Sequence, residues 1–328
     1  MRRVLLLFAV LLPLLLLATL LSLALGSSTI APGELFSALL SRPGYETEAA
    51  ILLYIRLPRT LAALLAGAAL SLSGVLLQHV LSNPLASPNT VGVNAGAGFF
   101  TILHLSLFQA ASFLLPFSAL VGAGLAALLV VAVSRAAGGG RGTVILSGII
   151  CSSLFGAGIS FFSILDADVL SQYSAFSIGG FAGIRSEELL LPAILTALVL
   201  LFSLLLSRRI AALSLGDGMA ASLGIRPRVL RTAVLLLAAT SAAAAISFSG
   251  LLGFVGLAVP HITRRLSGGG IGRELAIAPL LGALLLLLSD LAARTLFVPS
   301  DVPVGILTTA LGAPFFLILL MKRREPYA

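Results

Sequence analysis

From Val4 to Leu25 the chain runs 22 residues without a charge, and apolar runs of this kind recur almost to its last residue. About 20 apolar residues cross the hydrocarbon core of a bilayer as one helix, and a run apolar on every face has no side to offer to water. The chain therefore reads as a polytopic membrane protein. Composition agrees, with 59% hydrophobic residues, 10% charged residues and a mean hydropathy of +1.14.

The polar breaks leave room for about ten helices. The pattern predicts them at Val4 to Leu25, Leu61 to Leu81, Ala95 to Phe108, Leu114 to Val133, Thr143 to Leu165, Leu189 to Leu206, Val229 to Ser247, Ala258 to Leu266, Leu275 to Leu296 and Val304 to Leu320. The fold class is all-α, and residues 1–328 read as a single transmembrane domain. The first run, flanked by Arg2, Arg3 and "ALGSS", has a secretory signal as its alternative reading, but it exceeds the roughly 7–15 apolar residues of such a signal.

Cytoplasmic loops are enriched in Lys and Arg. With the N-terminus inside, fifteen of the twenty basic residues are cytoplasmic, among them Arg135, Arg141, Arg208, Arg209, Arg226, Arg228, Arg231, Arg264 and Arg265. Arg42, Arg56, Arg59, Arg185 and Arg294 fall outside. The net charge of +8 thus reads as membrane orientation and lipid contact rather than nucleic-acid binding. The same rule keeps the short eighth helix as a crossing, broken near Pro260, because without it the basic C-terminus would land outside. Both termini are then cytoplasmic.

Shifting the sequence by 172 residues lays Arg59-Thr60 on Arg231-Thr232, Leu85-Ala86 on Leu257-Ala258, and Pro88 on Pro260. The two segments run in opposite directions through the membrane, which is the pattern of an inverted repeat in transporters.

The chemistry that is missing narrows the function. The sole lysine is Lys322, so no G-x-x-x-x-G-K-[ST] phosphate loop exists in the chain. Neither G-x-S-x-G nor H-E-x-x-H occurs, and Cys151 stands alone, without a disulfide or metal partner. Asp290 and Arg294, four apart, read as an intrahelical ion pair. His79, His104 and His261 have no acidic residue at ligand spacing and read as packing or hydrogen-bonding residues. A transporter driven by a partner is the outcome, and an ion-coupled secondary transporter is the alternative.

Two segments suit partners. Arg208 to Arg228 forms a cytoplasmic loop in which Ala211 to Leu215 and Met219 to Leu223 can make short helical turns, broken at Gly216, Gly218 and Gly224 and stopped by Pro227. Leu213, Leu215, Met219 and Leu223 on one side suit a groove in another protein. Outside, Pro58 opens the second helix and sets Arg56 and Arg59 at the mouth, where guanidinium groups suit carboxylates of a docking protein and lipid headgroups compete as partners.

"RLPRTLAALLAGAALSLSGVLLQHVLSNPLASPNTVGVNAGAG", "LSLGDGMAASLG", "GLLGFVGLAVPHITRRLSG" and "DVPVGILTTALGAPFFLILL" resemble the membrane-spanning permeases of bacterial ATP-binding-cassette importers for ferric siderophores, haem and vitamin B12. The resemblance covers nearly the whole chain. It implies a ten-helix subunit of the cytoplasmic membrane, paired with a second permease copy, two ATPase subunits that bind ATP and magnesium, and an extracytoplasmic substrate-binding protein. It implies no cofactor, metal site or catalytic residue in this chain. The loop carrying Leu213, Leu215, Gly216, Asp217, Ala220, Leu223 and Gly224 would seat on the ATPase. Arg56, Arg59 and Arg294 would receive the binding protein. Asn83, Leu85, Gly142 and Thr143 would form the cytoplasmic gate, and the fifth helix would line most of the pathway. "YSAFSIGGFAG" departs from many relatives in lacking a Trp before its glycine pair.

Overall fold

The computed structural model describes residues 2–26, 34, 37–38, 40, 43–108, 113–296, 298 and 300–322. Among these the chain is helical: α1 (Arg2–Ala24), α2 (Leu57–Val80), α3 (Val93–Leu107), α4 (Leu115–Ala136), α5 (Arg141–Leu165), α6 (Ala167–Ile178), α7 (Leu190–Ser214), α8 (Asp217–Ser222), α9 (Pro227–Ser249), α10 (Val255–Ser267), α11 (Ile271–Thr295) and α12 (Val304–Lys322). Setting aside the short α6 and α8, ten helices stand where ten crossings are predicted. Arg42 and the C-terminal Arg323 and Arg324 lie outside the described residues.

Four boundaries differ from the prediction, each for a local reason. The second crossing does not begin at Pro58. It continues from a helix at Glu46–Ile51 through a π-helical turn at Leu52–Arg56. Pro58 cannot donate to Tyr54 and its ring would crowd that carbonyl, and a wider turn removes the conflict. The eighth crossing is unwound before α10 rather than at Pro260, which lies inside that helix; Phe254 adopts a left-handed φ of 64° ahead of it. α7 runs on to Ser214, so Ala211 to Leu215 is mostly its last turn, and Pro227 opens α9 instead of stopping the loop. Finally, α6 was not predicted. Asp166 caps it, its carboxylate accepting from the backbone N–H of Asp168 at 2.8 Å.

The repeat governs the packing. α2 packs on α11, and its counterpart α9 packs on α4; α3 lies against α4 and α5, and α10 against α11 and α12. The two lead helices α2 and α9 pack on each other, and both are rich in buried alanines, Ala62, Ala63, Ala66 and Ala69 on one and Ala242 to Ala245 on the other. Water drives no helix association in lipid, so close approach and hydrogen bonds must hold these surfaces together. Ser73 donates to the Ala238 carbonyl at 2.7 Å and Ser241 to the Ala69 carbonyl at 2.8 Å, a reciprocal exchange in which 69 and 241 differ by the repeat shift.

Glycines set two further contacts. Gly67 and Gly282 each lie against the other's carbonyl, so a methyl group on either would collide with the opposite backbone. Gly74 approaches the Gly256 carbonyl, the one that Pro260 leaves without its helical donor. Most buried side chains form one connected cluster reaching from Leu11 to Val304, with smaller ones around Ile102 and Val169 and around Ala38 and Leu52. α1 packs mainly on α11 and places Leu11 and Ala18 in the large cluster, with Ser22 also buried, while many of its leucines are exposed.

Candidate functional site

The outer cluster is built from the ends of α1, α2 and α11. In lipid, the last carbonyls of a helix need internal partners. Arg56 donates to the Leu23 and Ala24 carbonyls at 2.8 and 2.7 Å, and Arg294 donates to the Ser22 carbonyl and hydroxyl, both at 2.6 Å. Two of the three outer arginines therefore cap the end of α1, which explains their burial at 3% and 7% exposure. Arg56 therefore does not stand free at the mouth, as the sequence suggests it would.

Arg59 is held by two carboxylates. Its Nε and Nη2 donate to Asp290 at 2.9–3.1 Å, and its Nη1 and Nη2 donate to Asp301 at 2.6 and 3.0 Å. Asp290 is fully buried and also pairs with Arg294 at 3.5 Å, the predicted i,i+4 pair. Asp301, in the loop before α12, is half exposed, and the Arg59 guanidinium holds its carboxyl below the usual carboxylate range. Arg59 borders an outer cavity with Gln172, Phe176 and Asp301. Its tie to the loop between α11 and α12 could not be read from spacing, because the partners lie 231 and 242 residues away.

The cytoplasmic counterpart is Arg231. Its Nη2 donates to Asp217 at 2.6 Å and its Nη1 to the Gly139 carbonyl at 3.0 Å. Arg141 adds a longer contact to Asp217 at 3.8 Å and donates to the Leu213 carbonyl. Thus Arg59 ties the loop between the last two helices of the second repeat, and Arg231 ties the equivalent loop of the first.

Asp217 opens α8, the short helix of the predicted coupling segment. Gly216 and Gly224 flank it with φ of 109° and 75°, conformations that other residues adopt only at a cost. Leu213 and Ala220 are fully buried and anchor the segment, while Leu215, Met219 and Leu223 are 68%, 55% and 60% exposed. The apolar face seen in the sequence is thus divided, with Leu213 turned into the core and three side chains left without intrachain cover.

Between these ends lies a cavity of about 910 Å³, bounded by the 85–90 loop, α3, α6, the unwound 251–254 segment and α12. Leu85 and its repeat counterpart Leu257 both line it. The polar lining is neutral, with Ser87, Asn89, Thr90, Asn94, Tyr173 and Thr309, and the Asn94 Oδ1 is buried there without a hydrogen-bond partner. α6 supplies Tyr173 and Ser177; only the Asp166 cap signalled that helix in the sequence. α5 does not line this cavity. Two of its glycines serve packing, Gly148 against the Thr90 carbonyl and Gly158 against Phe99, while a methyl group on Gly142 or Gly156 would meet nothing.

Asn83 accepts from the Leu85 backbone N–H at 2.9 Å, which stiffens the turn that presents Leu85 to the cavity. Gly142 and Thr143 lie at the start of α5, where the Thr143 hydroxyl meets the Gly140 carbonyl and Ser134. Below, His79 has an acidic partner that spacing did not reveal: its Nε2 is 3.0 Å from Glu274, which also accepts from Arg264 at 3.1 Å. This knot joins the cytoplasmic ends of α2, α10 and α11. Among the described residues no cluster of His, Cys, Asp and Glu is arranged to hold a metal.

Comparison with known proteins places this arrangement among transport proteins. The model of the FecCD transport family matches residues 14–322. The achromobactin transport system permease protein CbrC of Dickeya dadantii is 39% identical over 93% of this chain and 88% of its own length. The hemin transport system permease protein HmuU of Yersinia pestis is 37% identical over 94% of this chain and 95% of its own. A solved structure described as an inward-facing conformation of a metal-chelate type ABC transporter superposes with a TM-score of 0.87 at 32% identity, covering 97% of this chain and 99% of that one.

Proposed function

The chain belongs to the FecCD transport family, and from that membership we propose that it is the membrane-spanning permease of an importer that carries a ferric siderophore, with haem and vitamin B12 as further cargoes of the same class. It works in the bacterial cytoplasmic membrane, beside a second copy of itself, two ATPase subunits and an extracytoplasmic binding protein. The observation that carries the reading is the pairing of an uncharged cavity of about 910 Å³ with an uncovered apolar helix on the cytoplasmic side. The first suits a bulky chelate that keeps its own ligands. The second suits a partner that supplies the motor this sequence lacks.

The geometry supports a route for the coupling. Leu215, Met219 and Leu223 seat on the ATPase, and Asp217 passes the motion of α8 to Arg231 and Arg141 at the starts of α9 and α5. Those helices rock, and Asn83, Leu85, Gly142 and Thr143 narrow or widen the inner exit. Outside, Arg59 and Asp301 form the rim that meets the binding protein, with Arg56 and Arg294 holding that rim in place from beneath. Cargo passes unchanged, and ATP is hydrolysed by the partner.

The test is uptake into proteoliposomes carrying the permease and its ATPase, with loaded binding protein outside and ATP inside. Uptake of ferric siderophore that needs all three components supports the reading. Uptake by the permease alone under an ion gradient contradicts it and favours the secondary carrier.

A further inference from the structure

A second cavity, of about 350 Å³, opens at the cytoplasmic ends of α4 and α9. Arg135, Arg228 and Arg231 line it together with the hydroxyl residues Ser134 and Thr232, over a floor of aliphatic side chains. No carboxylate lines it. Arg231 is 3% exposed, and although its two terminal nitrogens are bonded, its Nε is buried without a partner. Arg135 reaches only the Thr232 hydroxyl, at 3.2 Å, and among the described residues neither Arg135 nor Arg228 has a carboxylate partner. Arg228 and Val229 also sit in the first turn of α9, where no side chain caps the helix and its dipole presents positive charge.

Asp217 already matches the charge of Arg231, so the charge left unbalanced at the cavity is that of Arg135 and Arg228, which an anion held there would offset. We propose that this cavity binds a phosphate-bearing anion, and that its source is the headgroup of an anionic phospholipid in the cytoplasmic leaflet. Arginine forks and an uncapped helix start both recognise phosphate oxygens. Val131, Val144, Leu235 and the exposed Val229 give the cavity an aliphatic side that suits an acyl chain and that a free phosphate ion would not use. Basic pockets between transmembrane helices on the cytoplasmic side hold lipid headgroups by the same physics. The site lies outside the cargo cavity and does not depend on which chelate is carried.

Native mass spectrometry of the assembled transporter from phosphatidylglycerol nanodiscs, with phosphatidylcholine nanodiscs as the neutral control, reads the binding directly. The expected result is phosphatidylglycerol retained over phosphatidylcholine, with affinity reduced about thirty-fold in the R135Q/R228Q variant, the loss expected for two surface arginines. R135K/R228K, which keeps both charges, should retain most of the lipid, and R208Q/R209Q, altered on the cytoplasmic end of α7 outside the cavity, should behave as the unaltered chain. Inorganic phosphate, added to the phosphatidylcholine sample, separates the sources. Tight binding of phosphate with no preference for the anionic lipid overturns the lipid assignment. Retention unchanged in R135Q/R228Q, or lost equally in R208Q/R209Q, overturns the site.

Discussion

Arg59, at the outer start of α2, and Arg231, near the cytoplasmic start of α9, are equivalent in the repeat, yet the carboxylates that hold them differ in burial and in what they are attached to. Asp290 is fully buried on α11, a long helix packed along the centre of the bundle. Asp217 is half exposed on α8, a six-residue helix flanked by glycines and bearing uncovered apolar side chains. The same arginine is thus clamped to the frame outside and to a separate lever inside. An inverted repeat, which would otherwise give both faces the same mechanics, acquires through this difference an outer end clamped to the frame and an inner end tied to a separate short helix.

The largest effect should come from breaking the outer clamp. Asp290→Asn leaves Arg59 and Arg294 without their buried counter-charge, and removing one partner of a buried pair costs on the order of 3–5 kcal/mol. The apparent melting temperature and the folded yield in detergent should fall sharply. Asp217→Asn, at a half-exposed pair, should cost no more than about 1 kcal/mol; equal losses for the two variants would erase the contrast.

The next effect concerns the lever's surface. Met219→Ser with Leu223→Ser should leave stability within about 0.5 kcal/mol, as exposed positions do. Affinity for the ATPase should fall at least about tenfold, a loss typical of central interface side chains. Co-purification at graded salt measures it, and unchanged affinity would remove α8 from the interface.

The smallest effect is that of Asp301. Its folded carboxyl titrates below the ordinary range because Arg59 donates to it. A depressed folded pKa gives stability that is present above the unfolded value, about 3.9, and is lost as pH falls through the folded one. Because the group is half exposed, the loss should stay under about 1 kcal/mol. Melting temperatures of the unaltered chain and of Asp301→Asn should differ at neutral pH and converge under strongly acidic conditions; a constant gap across pH would contradict the pairing.

The crossings, their direction and the repeat were legible because each rests on a local pattern: apolar length, the side on which arginines collect, and a fixed shift that matched Arg59 with Arg231 and Leu85 with Leu257. Residues whose meaning depends on distant partners were not legible. Arg56 looked like an exposed cation because no acidic residue stands three or four positions from it, and its partners include backbone carbonyls of α1, which any sequence would provide. Likewise the pattern puts Leu213 on one side with Leu215, Met219 and Leu223, yet Leu213 belongs to the last turn of α7, before the break at Gly216, and is buried while the other three are exposed. Glu274, 195 residues beyond His79, illustrates the same limit.

The link from α8 to the helices is tested most directly by the amount of cargo moved per ATP hydrolysed in proteoliposomes, comparing the unaltered transporter with Asp217→Asn. If Asp217 transmits the motion of α8 to Arg231 and Arg141, ATP turnover should stay within about twofold while uptake falls about tenfold, separating the chemical step from the transport it drives. A ratio of cargo to ATP equal to that of the unaltered chain would contradict the account.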